Sequence, residues 1–328
     1  MPFCLAQDTL APGSPIMIVL VALAFAMGVS ALAGVLRSRS VLGPARMKPD
    51  QPLWPIAFAG AVSAVAWMGL QAVYAANKAA QFTRAHPGEH FDLSQNLTAD
   101  DYAFLATVPF IVGFAVLLVL DQVIDSRLAN TIAPLPRKII RAIGPAIVGL
   151  LIILPLILVA SVLLDALYRA VGYQHPNSHE LLGAMKEVSS PFTRIMLILG
   201  ACVLAPLFEE CLFRGHLQTF LVYLGNRPKR EIETTPLPST EAATPPEGNV
   251  LPYQSPPPLD RSPDRVWMAI LGSSIIFSIV HPLWMAPLIF VLAIGLGYAY
   301  ERTGNIWTSI LIHALFNTLN TIYFLNLG

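Results

Sequence analysis

Hydrophobic positions in this chain fall in long unbroken runs, with no sustained alternation. Eight runs read as helices across a bilayer, at 15–36, 53–75, 103–120, 143–164, 195–224, 266–283, 285–300 and 305–325. About 18 consecutive apolar residues suffice to span the hydrocarbon core as a helix. Backbone groups find no water there, so the helix is the form such runs take. The pattern predicts an all-α polytopic membrane protein, a bundle of about eight transmembrane helices with polar positions gathered into an intramembrane cavity. The first run, Ile16 to Leu36, is too long for a signal segment and has no basic stretch before it, so it reads as a retained helix. The fifth is longer than a membrane needs and is expected to tilt or protrude. A tight corner, His281-Pro282-Leu283-Trp284, divides the sixth from the seventh.

Composition agrees. Of 328 residues, 55% are hydrophobic and 12% charged, where a soluble domain carries about 25% charged residues. A formal net charge of zero gives no electrostatic reason to expect a nucleic-acid partner. Cys4, Cys202 and Cys211 form neither a CxxC nor a disulfide framework. Fourteen Lys and Arg residues fall on the first, third, fifth and seventh connections and five on the opposite side. That bias puts the odd-numbered connections in the cytoplasm and both termini outside, in a multi-pass protein expected in the plasma membrane. His86, His90, His175 and His179 then lie in outer loops and read as solvated. The chain divides into 1–190, carrying about four spans, and 191–328, carrying the polar positions. Inserted in the second part is 226–264, where ten of the chain's 28 prolines fall between Pro228 and Pro263. Such a segment buries too little surface to offset its ordering entropy and is expected to be a disordered cytoplasmic loop. A docking role for its proline triplet is conceivable, but a tolerated insertion is the plainer reading, and any partner is unknown.

The candidate chemistry lies where polar groups interrupt the last spans. Glu209, Glu210 and Arg214 sit inside the fifth run. One charged side chain at mid-membrane costs about 2.5–3.5 kcal/mol, so ionisable groups at that depth usually serve a site. Glu210 and Arg214 are four apart and can pair on one helical face, while Glu209 is rotated about 100° away. His281 lies in the sixth span, and His313 and Asn317 share a face of the eighth. The economical arrangement is one cavity. There a carboxylate beside an imidazole could deprotonate a water, and a second imidazole with a carboxamide could hold an oxyanion. Alternatively Glu209, His281 and His313 could ligate zinc and leave a fourth position for water, with Glu210 as base or supporting carboxylate oriented by Arg214. His216 is expected at the cytoplasmic interface, Cys211 as a small apolar packer, and Gly295 and Gly297 in helix packing. The rival reading is a transporter or proton-coupled carrier using the Glu/Arg/His set as a relay. Such a carrier should show corresponding repeats, and none is evident. A non-catalytic scaffold acting through the Pro-rich loop is a third.

At these residues the chain resembles the CAAX protease and bacteriocin-processing family of intramembrane proteases, which includes the type II prenyl-protein proteases. Glu209-Glu210-x-x-x-Arg214 looks like the family's EExxxR, Phe277-x-x-x-His281 like its FxxxH, and His313-x-x-x-Asn317 like its HxxxN. The motifs occur in the family's order, and the similarity covers about 195–325. It implies an eight-helix bundle that cleaves a membrane-associated protein or peptide, prenylated substrates being one family activity. By that resemblance Glu209 with His281 would activate water, and His313 with Asn317 would hold the oxyanion or complete a zinc site. Glu210 and Arg214 would support them. The predicted orientation puts His281 about 22 Å from the cytoplasmic start of its helix and His313 about 12 Å from its own, at 1.5 Å per residue. The two meet only if the sixth helix begins in the cytoplasm or tilts strongly.

Overall fold

A computed structural model describes residues 26, 30, 41–43, 52–124, 135–173, 180–226 and 261–327. Most of the predicted first span, most of the Pro-rich insert, His175, His179 and Cys4 lie outside the described residues. Within them the chain is helical: α1 (Trp54–Ala85), α2 (Leu93–Asn96), α3 (Ala99–Ile124), α4 (Leu135–Ala170), α5 (Glu180–Glu187), α6 (Pro191–Gly225), α7 (Pro263–Ile279), α8 (Ala286–Thr303) and α9 (Ile306–Leu327). Trp54–Ala85, Ala99–Ile124, Pro136–Ala170, Pro191–Gly225 and Ile306–Asn326 are long and apolar enough to cross a membrane. Their outward positions are apolar too, for example Val65, Val119, Leu151 and Leu163. In water such a band would be a large exposed apolar patch; in a bilayer it faces lipid. The protein is an all-α polytopic membrane protein.

Local chemistry sets the helix ends. The Ser190 side chain accepts the Thr193 backbone N–H, with Pro191 opening α6 at a position where its missing N–H is not needed. Pro263 opens α7 in the same way. Gly304 ends α8 at φ 62°, a left-handed conformation that costs glycine little. Helix α7 stops at Ile279, short of the predicted boundary, because the residue before Pro282 is disfavoured in helical geometry. His281 therefore lies in the corner that follows the helix.

Helix α6 is the axis of the bundle. It runs α-helical over Pro191–Leu199, π-helical over Gly200–Leu204, α-helical over Ala205–Glu210, π-helical over Cys211–Gln218 and α-helical again over Thr219–Gly225. Helix α1 packs on α3, α4 lies along α8 and α9, and α7 pairs with α8. Tyr168 donates to the Trp284 carbonyl at 2.8 Å, and the Asn305 amide donates to the Lys138 carbonyl at 2.8 Å. These two bonds tie α4 to both ends of α8. Gly297 is a glycine for space: a Cβ there would stand 2.6 Å from the Gln218 Oε1.

The depth conflict resolves by overshoot. Gln218 of α6 donates to Glu301, two residues from the end of α8, and accepts from Ser273 of α7. Ser273 is ten residues into its helix, so α7 begins about 12 Å beyond the end of α8. Arg265 donates to the Gly225 carbonyl, which holds the start of α7 against the end of α6. Both therefore protrude together past the α8–α9 corner, and Phe277 arrives at the depth of His313.

Candidate active site

Phe208, Cys211, Phe213, Phe277 and Ile310 belong to one buried cluster, and the ionisable residues sit in its midst. Glu209, Glu210, Arg214 and His313 are each at least nine-tenths buried. Cys211 is fully buried in this cluster, the packing role expected for it. Arg214 NH1 donates to Glu210 Oε1 at 3.1 Å, and NH2 donates to the Ala293 carbonyl of α8 at 3.1 Å. Its guanidinium lies 4.5 Å from the centroid of the Phe277 ring. The cation is thus held by a carboxylate, a carbonyl and an aromatic face, each stronger for being out of water.

His313 joins the two glutamates. Its Nδ1 is 3.0 Å from Glu210 Oε1, and its Nε2 is 3.9 Å from Glu209 Oε2. An ionised carboxylate only accepts, so Nδ1 carries the proton and Nε2 faces Glu209. That 3.9 Å is too long for a direct hydrogen bond, and it leaves two polar atoms addressing the same space. Glu210 Oε2 has no hydrogen-bond partner although it is buried. His313 lies seven residues into α9, so the group is about 10 Å from the α8–α9 corner.

His281 meets this group through Phe277. The Phe277 ring is 4.8 Å from the His281 ring and 5.9 Å from the His313 ring, centroid to centroid. His281 Nδ1 lies 2.8 Å from the Phe277 carbonyl, which accepts its proton and leaves Nε2 as the basic atom of the neutral ring. Asn317 is placed otherwise. Its Nδ2 donates to the Ala201 carbonyl at 2.8 Å, inside the first π-helical stretch of α6. In that stretch each N–H reaches five residues back, as Ala205 does to Gly200. The N–H that would reach Ala201 belongs to residue 206, which is proline and has none. Asn317 supplies the missing donor, so this contact joins two helices and does not touch the Glu–His group.

For the zinc set, no group of three His, Cys, Asp or Glu side chains among the described residues is arranged to hold a metal ion. No chemical step below is routed through a metal.

Two polar features fall outside the sequence expectation. His216, expected at the interface, is buried: its Nδ1 donates to the Cys211 carbonyl at 2.9 Å, and its Nε2 is 3.5 Å from Asp121 Oδ1 of α3. Nearer the protruding ends, Gln218, Glu301, Ser273 and Arg261 form a second network, in which Arg261 NH1 lies 3.6 Å from Glu301 Oε2 and NH2 donates to the Gly43 carbonyl. Asp121 and Glu301 fall just past the predicted ends of their spans, where loop solvation is the default expectation. The two π-helical turns leave no mark on hydropathy, although Pro206 inside an apolar run is a signal that backbone pairing must change there.

Residues 191–319, from the start of α6 into α9, match the family model described as Type II CAAX prenyl endopeptidase Rce1-like. The match contains Glu209, Glu210, Arg214, His281, His313 and Asn317. No curated protein and no solved structure matches the chain.

Proposed function

We propose, from the match of residues 191–319 to the Rce1-like type II CAAX prenyl endopeptidase family model, an intramembrane endopeptidase whose attacking water is activated by Glu209. The observation that carries the residue assignment is the buried Glu210–His313–Glu209 line, anchored by Arg214. A water held between His313 Nε2 and Glu209 would give its proton to the Glu209 carboxylate as its oxygen attacks the scissile carbonyl carbon. The carbonyl oxygen becomes the oxyanion. As the C–N bond breaks, the proton on Glu209 passes to the departing amine, and a new carboxylate and a free amine remain.

Glu210 has a positioning role. Its Oε1 takes the His313 Nδ1 proton and an Arg214 proton together, which fixes the imidazole with Nε2 toward Glu209. His281, with Nδ1–H committed to the Phe277 carbonyl, presents a basic nitrogen and suits proton transfer better than oxyanion donation. For Asn317 we retain only the joining of α9 to α6 seen in its contact with Ala201, in place of the oxyanion role expected from the sequence. The substrate is a protein or peptide presented in the membrane.

The test uses full-length protein in proteoliposomes with membrane-anchored peptides, prenylated and unprenylated, and mass spectrometry of the products. Cleavage at one bond, lost in Glu209→Gln and His313→Ala with folding retained, supports the proposal. Proton or solute flux without cleavage would replace it with the carrier reading.

A further inference from the structure

Where α4 begins and α8 turns into α9, the bundle leaves a cavity of about 410 Å³. It is separate from the Glu–His group and near the ends of the helices. Lys138 and Arg141 of α4 line it, with Thr303, Asn305 and Thr308 at the α8–α9 corner, and none of the described residues that line it is acidic. The N-terminal end of α9 adds its partial positive charge to these two cations. The walls are held in register, since Asn305 bonds the Lys138 carbonyl with its amide and caps the Trp307 N–H with its Oδ1 at 3.2 Å.

A separate observation points to a ligand. Thr308 lines the cavity, is 1% exposed, and its hydroxyl has no hydrogen-bond partner. A buried hydroxyl left unpaired is destabilising, and an acceptor oxygen inside the cavity would pair it. Two cations, a helix N-terminus and an unpaired hydroxyl together select an oxyanion. Room for several water volumes suits a headgroup better than a single small ion.

We propose that this cavity binds a phosphate group, and that its source is an anionic membrane lipid. The lipid is favoured over soluble phosphate by what adjoins the cavity. Lys138 and Arg141 lie in the first turns of a helix long and apolar enough to cross a membrane from Pro136 on. Along the same helix Ile140, Ile143 and Ile147 form an exposed apolar stripe on which acyl chains can lie. Basic pockets between helices at the cytoplasmic surface are where acidic headgroups lodge, and this end of α4 belongs to the side that the Lys/Arg bias assigns to the cytoplasm. A bound lipid would clamp α4 to the corner from which α9 starts, the helix that carries His313.

The experiment measures binding to the full-length protein in neutral detergent by native mass spectrometry and thermal shift. The probes are dioctanoyl phosphatidylglycerol, dioctanoyl phosphatidylcholine and inorganic phosphate. The glycerol lipid should bind and the choline lipid should not. Each cation near an anionic lipid contributes about fivefold, so Lys138→Gln/Arg141→Gln should weaken phosphatidylglycerol about 30-fold. Thr308→Val, which keeps the shape and removes the hydroxyl, should weaken it about tenfold. Arg84→Gln, in the connection on the opposite side, should bind as the unaltered protein does. Equal binding of the two lipids, or undiminished binding by both cavity variants, overturns the proposal. Inorganic phosphate that binds as tightly as the lipid and displaces it overturns the lipid as source.

Discussion

Replacing Arg214 by methionine removes the guanidinium paired with Glu210 and keeps a side chain of similar reach. The arginine is 1% exposed and Glu210 is fully buried, so the carboxylate left behind gains no solvent. Removing one member of a buried pair costs about 3–5 kcal/mol, most of it the penalty of the stranded charge. Loss of the contact with the Phe277 face adds up to about 2 kcal/mol when the cation is desolvated. These terms overlap, and Arg214→Met should lose about 4 kcal/mol of stability together with all cleavage. Adding Glu210→Leu removes the stranded charge, and such apolar replacement of a whole pair is often neutral or stabilising. Here it also strips His313 Nδ1 of its acceptor, a cost of about 1–3 kcal/mol. The double variant should therefore regain roughly half of the loss while remaining inactive. Equilibrium unfolding in mixed micelles, followed by tryptophan fluorescence, measures both. A single variant within about 1 kcal/mol of the parent, or a double variant no more stable than the single, would refute the buried-pair account.

Other expectations follow from the same geometry. Asn317→Ala should cost about 1 kcal/mol, near the upper range for interhelical hydrogen bonds in membranes. Pro206→Ala restores an N–H able to reach the Ala201 carbonyl, so the two changes should couple in a double-mutant cycle; strict additivity would remove the helix-joining role. Chelation by phenanthroline or EDTA should leave cleavage unchanged, because the proposed step uses the Glu209 carboxylate as its base; loss on chelation with recovery on added zinc would reverse that. Gly297→Ala places a methyl against Gln218 and should cost about 1–3 kcal/mol, measured in the same unfolding assay.

The candidate site was legible in the sequence because its members are expensive. In a chain where hydrocarbon sets the background, Glu209, Glu210, Arg214, His281 and His313 stand out by transfer cost alone, and buried groups must share partners. What the pattern does not carry is backbone register. Helix α6 reads as one overlong apolar run, yet its first π-helical stretch, followed by Pro206, leaves the Ala201 carbonyl for Asn317 to satisfy. The same lack hid the contact that Asn317 makes with the Ala201 carbonyl. His216 was misplaced for a related reason: a histidine near the end of a run looks interfacial, but α6 continues past the α8–α9 corner and keeps His216 inside, against Asp121. The overshoot of α7 was legible only as a conflict of depths, and Ser273 beside Gln218 supplies its resolution.

The central claim is that Glu209 activates water beside a His313 that Glu210 orients. Its most direct test is single-bond cleavage of a membrane-anchored reporter by purified protein in liposomes, comparing the parent with Glu209→Gln. Glu209 makes no direct hydrogen bond to His313, so the amide should leave the fold intact while the rate falls by about 10²–10⁴, the usual contribution of a general base. A correctly folded Glu209→Gln that cuts at the parental rate would contradict the account.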